Sequence, residues 1–253
     1  MFKISVIILT KNRAEKLRVA LDSVARQSLR EFEVVVVNDG STDSTLEVIE
    51  KFKNSTIGRL KVITHEISQG ITASRQEALQ QSTGEYVAIL DDDDEWVDPN
   101  KLKKQAEFLD KHPEVVLCGG GIKIAARGKH QLARFRPQGD GQIRRTMLLR
   151  NNFFTSTVMF RRQAALAAGG FVSDAIDLGE DYDLWLRLGQ KGKMANLSEV
   201  FTIYRQPDYN KERFAAFLRK QNTLVQQYRR QYPYFWLSRI ILTVRMFFKG
   251  LKP

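Results

Sequence analysis

Four short stretches in the first ninety residues are almost wholly apolar, and helical patterns separate them. Residues 4–9, 33–37, 60–64 and 86–90 read as strands, too short for helices and too uniformly apolar to leave one face in water. Between them, 14–27 places Leu17, Ala20, Leu21 and Val24 at helical spacing, and 42–53 does the same with Leu46, Ile49 and Phe52. A third helix is predicted over 71–81. Strands buried on both faces and joined by helices predict an α/β fold, with a mostly parallel central sheet flanked by helices.

In an open parallel sheet, ligands bind outside the carboxyl ends of the strands. Three of these ends are unusually polar. The first strand runs into Thr10, Lys11, Asn12 and Arg13, the second into Asn38, Asp39, Gly40, Ser41, Thr42 and Asp43, and the fourth into Asp91, Asp92, Asp93 and Asp94. Alone, the second could be a turn with a helix cap and the third a solvated loop. Together they point to one crevice. Four carboxylates at the end of a buried strand need a counter-charge. Hard divalent ions prefer carboxylate oxygens and commonly share them with substrate phosphates. The pattern implies metal-dependent chemistry on a phosphorylated compound.

The middle of the chain is less regular. A helix is expected over 99–111, closed by His112 and Pro113. Extended chain is expected over 115–126, 153–160 and 194–204, a loop over 127–141 and a helix over 181–188. The end of the chain reads as two helices. The first has a stripe of Phe214, Phe217, Leu218, Val225 and Tyr228, and the second runs over 234–251 after Pro233. Residues 1–209 are therefore expected to form a catalytic domain, and 210–253 a basic amphipathic helical tail.

Charge supports that division. The net charge is +11, of which +9 lies in residues 210–253. A single cysteine, Cys118, excludes an intrachain disulfide and fits a reducing compartment. No cleavable leader is evident, and no apolar run reaches the roughly 18 to 20 residues of a spanning helix. No G-x-G-x-x-G follows the first strand and no phosphate-binding G-x-x-x-x-G-K-[ST] is present. The three histidines, His65, His112 and His130, lack zinc-ligand spacing and are expected to be ordinary surface or loop residues.

Five strings occur in a telling order: SVIILTKNR, VVVVNDGSTDST, GITASRQEAL, GEYVAILDDDDEW and GEDYDLWLRL. Over about residues 3–205 the chain resembles the inverting family-2 glycosyltransferases that build bacterial cell-surface polysaccharides. The resemblance implies a glycosyltransferase type A (nucleotide-diphospho-sugar transferase) fold, extended here by C-terminal helices. It also implies a nucleotide-diphospho-sugar donor, a UDP-sugar favoured, and Mg²⁺ or Mn²⁺. By the same resemblance, Thr10, Asn12 and Arg13 begin the nucleoside pocket, Asp39 receives a hydrogen bond from the base, and Arg75 lies near the nucleotide. Asp91 or Asp92 faces the ribose, Asp93 holds the metal, and the register within the run of four is open by one residue. Asp181 is implied as the catalytic base, with Glu180 and Arg205 as further diphosphate or acceptor contacts. Residues 151–157 fall where relatives touch acceptors. Many relatives carry a histidine shortly after the Tyr-Arg pair matched by Tyr204 and Arg205, whereas this chain has Gln206 and Pro207.

The acceptor implied is a glycan or a lipid-linked sugar. The tail alternates aromatics with arginine and lysine, which suits peripheral association with a membrane, although Leu242 and Met246 fall among its polar positions. The expected location is cytoplasmic, at the inner face of the cytoplasmic membrane. Nucleic acid is not expected as a partner, since the aspartate run would repel its phosphates. A nucleotidyltransferase or a sugar-nucleotide hydrolase would share the same carboxylate–metal site.

Overall fold

The structure is a computed structural model that describes residues 2–53, 59–125, 132–172, 178–205 and 211–248. Gln206, Pro207, His130 and the end of the tail helix expected beyond 248 lie outside the described residues. The first third alternates without exception: β1 (Ile4–Thr10), α1 (Ala14–Ala25), β2 (Phe32–Asp39), α2 (Thr45–Lys53), β3 (Arg59–His65), α3 (Ile71–Gln81) and β4 (Tyr86–Ile89). Then come β5 (Glu95–Trp96), α4 (Lys101–Lys111), β6 (Val115–Ile124), β7 (Ala133–Arg134) and α5 (Asp140–Thr146). A 3-10 turn (Thr155–Thr157) leads into β8 (Met159–Arg161), α6 (Arg162–Ala167), α7 (Glu180–Leu188) and β9 (Lys193–Tyr204). Two helices follow, α8 (Lys211–Gln227) and α9 (Phe235–Phe248).

The described strands form one sheet in the order β3-β2-β1-β4-β8-β6-β9-β5, with β7 beside β6. The pairs β1–β2, β1–β4 and β2–β3 are parallel, whereas β8 enters antiparallel to both β4 and β6. Successive side chains on a strand point to opposite faces, and both faces here are covered. Val6, Ile8, Val34 and Val36 pack with Leu17, Leu21 and Ile49. Ile7, Val35, Val37 and Ile89 pack on the other side with Leu79, Phe153 and Trp185. All eight residues of β2 are buried, which explains its apolar run from Val34 to Val37. Because β1 lies between β2 and β4, chain order reverses across it, and the ends of these three strands open one crevice.

Several expectations over the less regular middle change. Of the stretch 153–160 expected to be extended, only Met159 and Phe160 are strand, because 155–157 closes a 3-10 turn. The loop expected over 127–141 contributes β7 and the first turn of α5. Residues 162–167 form a helix that the sequence pattern does not announce. The two tail helices pack on the sheet domain. Leu218, Leu224, Val225, Tyr228, Tyr232, Leu242 and Met246 join the cluster that contains Trp185 and Leu186. The apparent interruption of amphipathicity at Leu242 and Met246 has a simple cause: both face inward.

Candidate active site

The crevice is built from the loops after β1, β2 and β4 and from the start of α7. Gly40 turns the chain after β2 with φ of +72°, and a Cβ there would stand 2.8 Å from the Ser68 backbone nitrogen. That close approach brings the loop after β3 against Asp39, whose carboxylate accepts four hydrogen bonds from protein donors. Oδ1 accepts from His65 Nδ1 at 2.7 Å and from the Gln69 N–H at 2.7 Å. Oδ2 accepts from Ser68 Oγ at 2.6 Å and from the Gly70 N–H at 3.1 Å. Burial alone would raise the Asp39 pKa, but these four hydrogen bonds carry it down to about 2.

His65 departs from the sequence reading. It is not a surface or loop residue but the buried last residue of β3, held between Asp39 and Glu77, the latter 2.8 Å from Nε2. Both ring nitrogens face carboxylates, so the doubly protonated imidazolium satisfies both contacts. Burial opposes that charge, yet the bonds to Asp39 and Glu77 raise the His65 pKa overall. The sequence signal for it is slight: a histidine ending a strand next to the strand that ends in Asp39.

Arg13 crosses from the first loop to the aspartate run, 2.8 Å from Asp92 and 3.2 Å from Asp93. Asn12, at φ of +53°, spends its side-chain oxygen on the Thr42 N–H at 2.7 Å and so ties the first two loops together. Thr10 is buried at the end of β1. Arg75, expected near the nucleotide, is buried on α3 and bridges two stretches of chain. It meets Asp91 at 2.6 Å and also contacts the Glu180 carboxylate. The four aspartates divide their work. Asp94 is buried, accepting from Ser156 Oγ at 2.5 Å and from the Arg205 N–H at 3.0 Å. Arg205 also reaches the Asp93 carbonyl at 3.1 Å. Trp96 anchors the run by donating from Nε1 to the Ser156 carbonyl at 2.7 Å.

Asp181 is the second residue of α7, which follows Gly179, whose φ of +74° sets the entry into the helix. Its Oδ2 accepts from Thr155 Oγ1 at 2.5 Å and from Asn151 Nδ2 at 3.4 Å, and Oδ1 accepts from the Tyr182 N–H at 2.6 Å. It remains half-buried, whereas neighbouring Glu180 is buried on Arg75. Residues 151–157 therefore do meet the expected base, through Asn151 and Thr155.

Acid groups outnumber bases in this crevice: Asp91, Asp92, Asp93, Asp94, Glu180 and Asp181 stand against Arg13, Arg75 and Arg205. Burial, partly opposed by Arg13, raises the Asp92 pKa to about 6. Burial and the nearby Asp91 raise those of Asp93 and Asp94. Burial raises that of Glu180 despite Arg75. Asn38 Nδ2, Ser74 Oγ and Arg75 Nε are buried without hydrogen-bond partners among the described residues, and buried polar atoms rarely stay so unless something else satisfies them. Excess carboxylate with spare donors fits a divalent cation and a phosphorylated ligand. Among the described residues no three acid, imidazole or thiol groups converge as a complete metal cage.

Comparison with known proteins agrees with this geometry. Residues 5–168 match the description of glycosyl transferase family 2. The chain is 30% identical over 207 residues to the uncharacterized protein Rv1520 of Mycobacterium tuberculosis, a match covering 80% of this chain but 58% of that protein. It is also 30% identical over 207 residues to the amylovoran biosynthesis glycosyltransferase AmsE of Erwinia amylovora, covering 81% of this chain and 76% of that one. The crystal structure of Staphylococcus aureus TarS 1–349 superposes with a TM-score of 0.70 at 26% identity, covering 96% of this chain and 70% of that chain. The same protein in complex with UDP-GlcNAc gives 0.72 at 23% identity. The fold is that of the type A glycosyltransferases, and the chain belongs to glycosyl transferase family 2.

Proposed function

We propose that the protein transfers a sugar, with inversion, from a UDP-sugar to a hydroxyl of a glycan or lipid-linked acceptor. The observation that carries this reading is the half-buried Asp181. It is oriented by Thr155 and Asn151 and lies beside Glu180, which Arg75 links to Asp91. One oriented base beside a nucleotide-type pocket is what a single in-line displacement needs. Asp181 takes the acceptor hydroxyl proton as that oxygen bonds to the anomeric carbon. The bond from that carbon to the diphosphate breaks on the opposite face, and its electron pair leaves with the diphosphate. Thr10, Asn12, Arg13, Asp39, Asp91 and Asp92 form the nucleotide side, with Arg75 and Arg205 balancing charge. Mg²⁺ or Mn²⁺ held by Asp93 would offset charge on the departing diphosphate. TarS, captured with UDP-GlcNAc, supports the choice of donor class, and AmsE, named for amylovoran biosynthesis, supports a glycan product. In this reading 1–209 is the catalytic unit and 210–253 a basic tail that holds the enzyme peripherally at the inner face of the cytoplasmic membrane.

Thermal shift with UDP-, GDP-, dTDP- and CMP-sugars plus Mn²⁺ identifies the donor, because a bound ligand raises Tm by mass action. Asp181→Asn should then lower transfer about 10²- to 10⁴-fold with donor affinity by calorimetry little changed. Near wild-type turnover would remove Asp181 as base. Release of free sugar at full rate without acceptor would instead assign a hydrolase.

A further inference from the structure

The helix α9 has two apolar faces, one packed on the sheet domain and the other largely exposed. Ser238, Leu242 and Met246 are buried and Phe235 packs beside them. On the other side Trp236 is 77% exposed, Ile240 61% and Phe247 76%, with Leu237 and Val244 also in water. At 3.6 residues per turn these five positions fall within one arc of about 100°. Alongside the arc, α8 and α9 border a cleft of about 560 Å³ lined by Gln226, Arg229, Arg230, Phe235, Trp236 and Arg239. No carboxylate lines it. Arg229 donates to the Gln226 carbonyl at 2.9 Å and Arg239 to the Asn222 side chain, both uncharged partners. Among the described residues, Arg229, Arg230 and Arg239 form no ion pair with a carboxylate. After Glu212 the sequence contains no acid at all.

We infer that this face docks on an anionic lipid bilayer. The α9 arc lies in the headgroup–acyl boundary, and the Arg229–Arg230–Arg239 cleft receives lipid phosphates. This rests on the peripheral-membrane reading above and adds the docking face and the headgroup chemistry. Its residues stand apart from those of the candidate active site. An interfacial helix has this composition: aromatic and aliphatic groups on the lipid side with cations beside them. Charge complementarity selects the occupant. A second copy would bring its own unpaired arginines against these. A soluble polyanion would leave Trp236, Ile240 and Phe247 in water. No described helix is long and apolar enough to cross the membrane, so the contact is parallel to the surface.

The full chain provides its own reporter. Of its three tryptophans, Trp96 and Trp185 are buried and Trp236 is exposed. Large unilamellar vesicles of phosphatidylcholine with about a third phosphatidylglycerol should shift Trp236 emission to the blue and co-sediment the protein. Vesicles of phosphatidylcholine alone should do so at least about ten times more weakly, because each cation near an anionic surface adds about 1 kcal/mol. Trp236→Phe should abolish the spectral shift while keeping co-sedimentation. The triple change Trp236→Ser, Ile240→Ser, Phe247→Ser should lose binding, and Arg229→Gln, Arg230→Gln, Arg239→Gln should lose about 100-fold on anionic vesicles. UDP-induced thermal shift checks that each variant is folded. Vesicle binding unchanged in both triple variants would overturn this docking face while leaving peripheral association standing. No binding by the wild type would remove both. A wild-type dimer that the serine variant converts to a monomer would assign the face to a second copy. Binding only to soluble polyphosphate would overturn the bilayer assignment.

Discussion

Lys101 offers a test of how the aspartate run is held in place. This lysine is fully buried at the start of α4, with Nζ 4.1 Å from the Trp96 ring centroid and 2.7 Å from Gln105 Oε1. Trp96 in turn anchors the loop that carries Asp91 to Asp94. Burial lowers the Lys101 pKa from 10.5 to about 7. That difference corresponds to about 5 kcal/mol between protonation states. The sign follows from proton counts. Below pH 7 both the folded and unfolded chains hold the proton, and the folded state bears the full cost of a buried ammonium. Between pH 7 and 10.5 the unfolded chain binds more protons, so stability rises with pH. Lys101→Met removes this dependence while roughly keeping the volume. In urea unfolding, the variant's stability relative to wild type should be greatest at pH 6, and its advantage should shrink by about 2 kcal/mol between pH 7 and pH 9. The loss of the Gln105 hydrogen bond and of the contact with Trp96 shifts the whole difference by a constant amount, so the slope is the readout. A difference that does not vary with pH would refute a buried, readily deprotonated lysine here.

Three further outcomes are expected. Arg75→Met should destabilise the fold by about 3 to 5 kcal/mol by leaving Glu180 without its buried counter-charge, and Glu180→Gln in the same chain should recover part of the loss in denaturant melts. Asp93→Asn should weaken donor affinity measured with Mn²⁺ and have less effect on affinity for UDP measured in EDTA; calorimetry showing equal effects in both would remove Asp93 as the metal contact. His65→Gln should lower stability most at pH 5 to 6. The difference from wild type should shrink as pH rises through the raised His65 pKa, since Asp39 and Glu77 then face a neutral ring.

Much of the crevice is legible in the amino-acid sequence because its signals are local. Strands buried on both faces leave uninterrupted apolar runs, and a parallel sheet places their polar ends together. Thr10, Asp39 and Asp91 therefore group from strand order and polarity alone. What escapes such reasoning depends on distant partners. A two-residue strand such as β5 has no period, and it exists because Glu95 and Trp96 pair with Ile203 and Thr202. The brace that the Asn12 side-chain oxygen gives to the next loop has no counterpart in sequence spacing. The roles of Asp94 and Ser156 come from their hydrogen bond across 62 residues, and no spacing rule carries that. In the tail, a helix buried on one face and apolar on the other does not produce the clean alternation expected of an amphipathic segment.

The Arg75 bridge also bears on the order in which the polypeptide is made. Its contact with Asp91 spans 16 residues, but its contact with Glu180 spans 105. Synthesis therefore completes the loops that carry Asp39 and Asp91 well before Asp181, the proposed base. Until α7 is made, Arg75 has Asp91 but not its second acid, Glu180. Under that reading, the nucleotide side is synthesised before the residue that would complete the catalytic arrangement.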